Sequence, residues 1–346
     1  MHDGDILILK GQEAAALLAG RENELIDIVR RAYEAHTTGD SSLPHSTFLH
    51  FPNEPRQRII ALPAFLGGDF GVAGIKWVAS FPSNLEKGMD RASAVVILNS
   101  TQTGRPQVII EGSIINAKRT AASAALAARF LQDKQKASRV GIIGCGFINF
   151  EVVRFLLASS PEINELVLFD LDTTRANKFK DDCRKLSAEI SIQVVKDIGT
   201  VLKSTTLVSL ATTALKPHID DLSMCAPSTT LLHVSLRDLS PEVILSSDNI
   251  VDDISHVCRA NTSVHLTEQL VGHREFIRCT LGDVTLGNAT PRRDAESIAV
   301  FSPFGLGILD IAVGQYIYEL ARRAQQGTVI ESFLPEPWSA RDGQSH

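Results

Sequence analysis

The spacing of apolar residues changes twice along the chain. Residues 5–9 form a short apolar run that predicts a strand, and residues 12–36 carry Leu17, Leu18, Leu25, Ile28, Val29 and Ala32 at helical spacing. Between residues 58 and 115 the pattern becomes short apolar runs, at 59–62, 72–78, 94–98 and 108–110, separated by Gly and Pro. The turn formers Asn99-Ser100-Thr101-Gln102-Thr103-Gly104-Arg105-Pro106 separate the last two runs and predict a hairpin. This part of the chain is expected to be an α+β unit with an antiparallel sheet. An alanine-dense helix is predicted over 120–131. Beyond residue 138 strand-like runs recur at 139–143, 166–169, 190–195, 206–210, 230–234 and 250–251, with helical or turn-rich segments between most of them. A parallel connection must cross the sheet and return, so this alternation predicts a doubly wound α/β sheet of six strands. Residues 305–324 read as one more helix, strongly apolar on one side, that returns to the first domain or lies across the junction.

Length and composition sharpen this picture. The 346 residues exceed what one hydrophobic core usually serves, so two domains are expected. With 34 Lys+Arg against 40 Asp+Glu the formal charge is −6, which argues against a general nucleic-acid or anionic-membrane partner. The five cysteines, Cys145, Cys183, Cys225, Cys258 and Cys279, are scattered and never in CxxC spacing, which disfavours a disulfide framework or a zinc site and fits a reducing compartment. Met1-His2-Asp3-Gly4-Asp5 lacks the pattern of a leader and no apolar run is long enough for a bilayer, so a cytoplasmic protein without metal is the expectation.

The strongest local signal is Arg139-Val-Gly-Ile-Ile-Gly144-Cys145-Gly146-Phe147-Ile148-Asn149, an apolar strand running into Gly-x-Gly and then into a helix. The first glycine permits the tight turn, and the second lets backbone approach a pyrophosphate at the helix N-terminus. The next strand ends at Asp170, about where an acid binds the adenosine ribose hydroxyls. That order of strand, turn, helix and acid predicts a Rossmann-type domain for NAD. Arg175 is near enough in sequence to leave NADP open. Asn149 occupies the place of the third glycine, where it is expected to loosen helix-to-strand packing. A glycine turn in a fold that no longer binds a nucleotide is the bland alternative.

Three cations stand out in or beside the first domain: Arg58 before an apolar strand, Lys76 in Gly74-Ile-Lys76-Trp77-Val78, and Arg119 near the start of the alanine helix. A lysine between apolar neighbours in a strand reads more often as a solvated face than as a charge aimed into a cleft. Arginine at a helix start presents its planar fork to a carboxylate beside the helix N-terminus.

With these marks the chain resembles the ornithine cyclodeaminase/μ-crystallin family over nearly its whole length. The matching motifs are Ile75-Lys76-Trp77-Val78, Val95-Val96-Ile97-Leu98 with Thr103-Gly104-Arg105-Pro106, Arg119-Thr120-Ala121-Ala122, Gly144-Cys145-Gly146, Ala211-Thr212-Thr213 and Phe304-Gly305-Leu306-Gly307-Ile308-Leu309-Asp310. The resemblance implies that Lys76 and Arg119 bind a substrate carboxylate, with Lys76 also in the catalytic group, and that Asp238, after the fifth strand, is the acid/base. It places Thr120, Gly144, Cys145, Gly146, Phe147, Ile148, Asp170, Ala211, Thr212, Thr213 and Ser235 around NAD. It also implies an α+β substrate-binding and dimerisation domain, expected over 1–117 and 315–346, and an NAD domain over 118–314, in a homodimer.

Two departures narrow the expected substrate. Ala61 stands where cyclodeaminases carry an acid, and Asp238-Leu-Ser-Pro-Glu-Val replaces their Pro-Gly-Lys-Thr run. Both departures, with the stretch from Met89 through Arg91 to Asn99, look like the branch that oxidises N-(2-amino-2-carboxyethyl)-L-glutamate to 2-oxoglutarate and L-2,3-diaminopropionate. Arg58, Lys76, Arg91 and Arg119 suit a substrate with three carboxylates. The alternatives are a cyclodeaminase, ketimine reductase or amino-acid dehydrogenase of the same family, or a nucleotide-binding protein without turnover.

Overall fold

The computed structural model describes residues 4–132 and 137–336. Residues 1–3, part of the leader argument, and 337–346, the end of the expected first domain, lie outside the described residues. The described residues fall into two units. One comprises those of Met1–Gly20, Gly39–Asn116 and Gly307–His346, the other those of Arg21–Thr38 and Ala117–Leu306.

In the first unit, β1 (Ile6–Leu9), β2 (Ser41–Ser42), β3 (Thr47–Phe51), β4 (Glu54–Leu66), β5 (Val72–Ser80), β6 (Ala92–Ser100) and β7 (Pro106–Glu111) form a mixed sheet with a short C-terminal strand, Thr328–Ile330. The expected hairpin is β6 and β7, antiparallel with Ile97 opposite Ile109. The helix Gly307–Ala324 covers one face of this sheet through Gly307, Asp310, Ile311 and Gly314, spaced three and four apart. A Cβ on Gly307 would lie 2.9 Å from the Leu62 carbonyl oxygen, and one on Gly314 would lie 3.4 Å from Val96, so both glycines let helix and sheet approach.

The second unit is built on β8 (Arg139–Ile143), β9 (Glu165–Phe169), β10 (Ser191–Val194), β11 (Leu207–Leu210), β12 (Thr230–His233), β13 (Asp248–Val251), β14 (Ile277–Thr280) and β15 (Ala299–Ser302). Their order is β10-β9-β8-β11-β12-β15-β13-β14, and every pairing is parallel. The α/β expectation holds, with two strands more than the pattern predicted. Both extra strands are four residues long, and β15 inserts between β12 and β13 rather than extending the edge.

The division differs from the expected one at two places. The helix Glu22–Thr37 belongs to the second unit, because Tyr33 hydrogen-bonds Ser123 at 2.6 Å and Thr37 packs against Gly282. The chain returns to the first unit at Gly307 rather than at residue 315, since the helix that seats on the sheet begins there. The alanine helix also starts early, at Gly112 rather than 120. Glu111 caps it, accepting hydrogen bonds from the Ser113 N–H (2.8 Å) and the Ile114 N–H (3.2 Å). Arg119 therefore lies two turns into the helix, and the expectation that it flanks the N-terminus is corrected. No helix among the described residues is long and apolar enough to cross a membrane.

Candidate active site

The loop after β8 has the backbone the glycine motif requires. Gly144 has φ +90°, and a Cβ there would meet the Ala211 carbonyl oxygen at 2.5 Å. Gly146 is the N-cap of the helix Phe147–Ser159, and a Cβ on it would meet nothing within 4 Å, which leaves the helix N-terminus approachable. Asn149 ties the turn down instead of loosening it. Its fully buried amide donates to the Ile143 carbonyl (3.0 Å) and the Gly144 carbonyl (2.7 Å), and it accepts from the Ser209 hydroxyl at 2.7 Å. One side chain thus joins the ends of β8 and β11 to the new helix.

Asp170 follows β9 and faces this loop. It accepts from the Cys145 N–H at 2.7 Å and the Asp172 N–H at 2.8 Å, with the exposed Arg175 guanidinium 3.5 Å away. A cavity of about 470 Å³ opens beside it. Among the residues lining it are Gly144, Gly146, Asp170, Ala211, Thr212 and Thr213, six of those expected around the cofactor. Cys145 contributes its backbone, while Phe147 and Ile148 begin the helix and Phe147 is exposed. Thr120, on the alanine helix, is not among the lining residues. A turn that excludes side chains, an open helix N-terminus and an acid at the end of the second strand fit a dinucleotide. Burial pushes the Cys145 thiol up to about 12, so it is an inert thiol rather than a nucleophile.

Asp238 sits behind one end of the cavity, its side chain wholly buried. The Thr212 and Ser235 hydroxyls both donate to it, His218 Nε2 lies 3.0 Å from Oδ1, and His233 Nε2 lies 3.3 Å from Oδ2. The Asp238 N–H points at the same His233 nitrogen at 3.1 Å, and His233 Nδ1 meets the Ser302 hydroxyl at 3.1 Å. Burial pushes the Asp238 carboxyl up, but His233 and the Ser235 and Thr212 hydroxyls outweigh it and hold the group below the ordinary carboxylate range. Leu236, two residues earlier, has φ +72°, a conformation that costs a leucine about 1–2 kcal/mol. The turn aiming Asp238 is therefore strained. Ser235, expected beside the cofactor, acts here on Asp238 and on the Leu210 carbonyl.

Arg119 is nearly buried, and its guanidinium lies against Gly305, where a Cβ would be 2.8 Å from Nη1. Gly305 has φ +93°, and its N–H and that of Phe304 donate to Asp252 at 2.7 and 2.9 Å. Burial pushes the Asp252 carboxyl up against those bonds.

In the first unit, Lys76 is 1% exposed and its Nζ lies 2.6 Å from Asp310 and 3.0 Å from the Asn116 side-chain oxygen. The solvated-face reading of this lysine is thereby corrected. Strand alternation puts the neighbouring Trp77 on the exposed face instead. Arg58 is the Cα partner of Ser80 in the β4–β5 ladder, and Arg91 Nε lies 3.4 Å from the Ser80 hydroxyl. Burial pulls the Arg91 guanidinium down.

Sequence reasoning missed His218, His233, Asp252 and the pairing role of Asp310. Asp310 lay within a quoted motif. The others carry no local signal. Among the described residues no group of three His, Cys, Asp or Glu side chains is suited to a metal ion.

The ornithine cyclodeaminase/mu-crystallin family model matches residues 13–325. The chain belongs to that family. It is 28% identical to N-((2S)-2-amino-2-carboxyethyl)-L-glutamate dehydrogenase of Staphylococcus aureus, over 89% of this chain and 93% of that protein. It is equally 28% identical to alanine dehydrogenase of Archaeoglobus fulgidus, over 95% and 99%. The solved Δ1-pyrroline-2-carboxylate reductase of Thermococcus litoralis, in complex with NADH and L-proline, superposes with a TM-score of 0.85 at 25% identity, covering 93% and 99%. The expectations of an enzyme and of NAD as its cofactor agree with these family members.

Proposed function

We propose that the chain is an NAD-dependent oxidoreductase that oxidises the secondary amine of N-(2-amino-2-carboxyethyl)-L-glutamate, and that hydrolysis then releases 2-oxoglutarate and L-2,3-diaminopropionate. The observation that carries the substrate choice is the pair of arginines at Ser80, Arg58 as its backbone ladder partner and Arg91 with Nε 3.4 Å from its hydroxyl, on a sheet whose position 61 is alanine rather than an acid. Two arginines favour carboxylates and disfavour the ammonium of ornithine. The likeness to the Staphylococcus aureus enzyme supports the same choice.

When bound, NAD supplies the hydride acceptor. The chain's residues do the rest. The loop of Gly144 and Gly146 and the acid Asp170 hold the dinucleotide. Lys76 and Arg119 bind carboxylates of the substrate, Lys76 from beside Asp310 and Asn116 and Arg119 from beside Gly305. Asp238 accepts the proton of the substrate ammonium, which frees the nitrogen lone pair so that the glutamate α-carbon can lose hydride. The hydrogen bonds that hold Asp238 below the ordinary range keep it ionised. Once that proton has left, Asp238 takes a proton from the water that adds to the iminium and returns it to the nitrogen as the carbinolamine collapses, which breaks the C–N bond and forms the carbonyl of 2-oxoglutarate. We further propose a cytoplasmic homodimer formed through the first unit.

The equal identity to an alanine dehydrogenase favours one second reading, oxidative deamination of a small amino acid. Mass spectrometry separates the two. Incubation with NAD and N-(2-amino-2-carboxyethyl)-L-glutamate is expected to yield 2-oxoglutarate and 2,3-diaminopropionate with stoichiometric NADH. NADH formation from L-alanine, with none from the glutamate adduct, would replace the first reading by the second.

A further inference from the structure

Asp238 has no exposed surface, and its carboxylate is met by the Thr212 and Ser235 hydroxyls and by two imidazole nitrogens. A base that accepts a proton in every turnover must also lose it, and once substrate fills the site a fully buried carboxylate has no direct path to bulk solvent. His233 is equally enclosed, with no exposed side-chain surface and with Nδ1 on Ser302. His218 differs. Its side chain is 34% exposed and lines the cavity that contains Gly144 and Asp170, while its Nε2 touches Asp238 at 3.0 Å.

The placement of His218 is built by the backbone. The N–H groups of His218 and Ile219 both donate to the Asp238 carbonyl at 2.9 Å, the Ser240 N–H donates to the Ile219 carbonyl at 3.0 Å, and Ile219 pairs with Leu239 as a parallel bridge. Ile219 and Leu239 are themselves core residues beneath β11 and β12. The His218 backbone is therefore fixed beside Asp238, from where its imidazole reaches the carboxylate.

From this arrangement we infer that His218 is the proton relay of Asp238, carrying the proton taken from the substrate out to solvent. The inference rests on the reading of Asp238 as the base. The O–H of the protonated Asp238 passes its proton to His218 Nε2, and the imidazolium releases the Nδ1 proton to water. The carboxylate is left ionised and the ring returns to its starting tautomer through solvent, so one proton leaves per amine oxidised. Imidazole suits the step because its proton exchanges between pH 5 and 8. Asp238 is held below the ordinary carboxylate range, so it hands the proton on rather than keeping it. The other charged groups that line the same cavity are Asp170 and Arg175, and Lys216 and Asp220 flank His218 in sequence.

His218 acts through Asp238, so the test reads proton movement rather than activity alone. Stopped-flow records NADH absorbance and the signal of a pH-indicator dye together, with NAD and N-(2-amino-2-carboxyethyl)-L-glutamate, or L-alanine if that is the amine turned over. In the parent protein the two signals rise together. In His218→Gln, which keeps a hydrogen-bond donor, proton release is expected to lag NADH formation, and kcat to fall by about 10²-fold, as for loss of a proton-transfer group. In His218→Ala, added imidazole is expected to restore both in proportion to its concentration, which a purely structural defect would not allow. Synchronous signals in His218→Gln, or no rescue of His218→Ala, overturn the relay. Asp238→Asn distinguishes the two levels: if it is inactive while His218→Gln is normal, only the relay fails, whereas near-parent kcat in Asp238→Asn removes the base itself.

Discussion

Asp170 is a single side chain with two demands on it. Both its oxygens already accept backbone N–H groups, from Cys145 and from Asp172, so it fixes the glycine loop before any cofactor arrives. Each carboxylate oxygen has a second lone pair, and that remaining capacity is what a ribose hydroxyl would use. Asp170→Ala removes both services at once. Loss of the loop anchor weakens NAD and NADP alike, but loss of the ribose acceptor weakens NAD alone, and removing the carboxylate also relieves its repulsion of a 2′-phosphate. The ratio of the two dissociation constants is therefore the informative quantity, and it is expected to shift toward NADP by tenfold or more, about 1.4 kcal/mol. Equal weakening, measured by fluorescence titration of the two reduced cofactors, would show that Asp170 serves only the loop.

The helix Gly307–Ala324 shows how an element carries chemistry as well as packing. Gly307 and Gly314 lower it onto the sheet, and Asp310, between them on the same face, reaches Lys76 at 2.6 Å with neither side chain more than 2% exposed. Breaking a buried ion pair from one side costs about 3–5 kcal/mol, more than such a pair contributes over an apolar replacement. Asp310→Ala is expected to lower the melting temperature by several degrees and to raise KM more than kcat, since Lys76 loses its anchor. An unchanged melting temperature by calorimetry would show that Lys76 finds another partner without cost. This helix also marks where legibility in the sequence stopped. Gly144, Gly146, Asp170 and the β6–β7 hairpin were readable because turn, strand and acid lie within some 30 residues of one another. Asp310 on Lys76 and Asp252 under Gly305 are pairings across 234 and 53 residues, and spacing carries no record of them. The start of the alanine helix at Gly112 was hidden for a different reason: Ile114 and Ile115 continue the apolar run of β7, and only the Glu111 cap separates strand from helix.

For the whole molecule, what remains unexplained by one chain is the outer face of the first unit's sheet. Antiparallel sheets with one solvated side normally alternate apolar residues inward with polar ones outward. Here Trp77 on β5 and Val95 on β6 are direct cross-strand neighbours, 43% and 38% exposed, and Leu49 on β3 is 48% exposed. The inward partners in the same ladder, Leu62, Lys76 and Val96, are buried, so the register is not in doubt and the apolar side chains outside are there by design of the sequence. Contiguous exposed apolar surface on a soluble sheet marks an interface, and a face that packs on its own copy gives a closed two-fold dimer. Light scattering at micromolar concentration is expected to give twice the mass of the 346-residue chain. Trp77→Lys should shift that mass toward the monomer while far-UV circular dichroism stays unchanged, because the substituted side chain points away from the core of its own unit. A parent protein that is monomeric, or a Trp77→Lys variant that keeps the doubled mass, would place the interface elsewhere and leave this face to another partner.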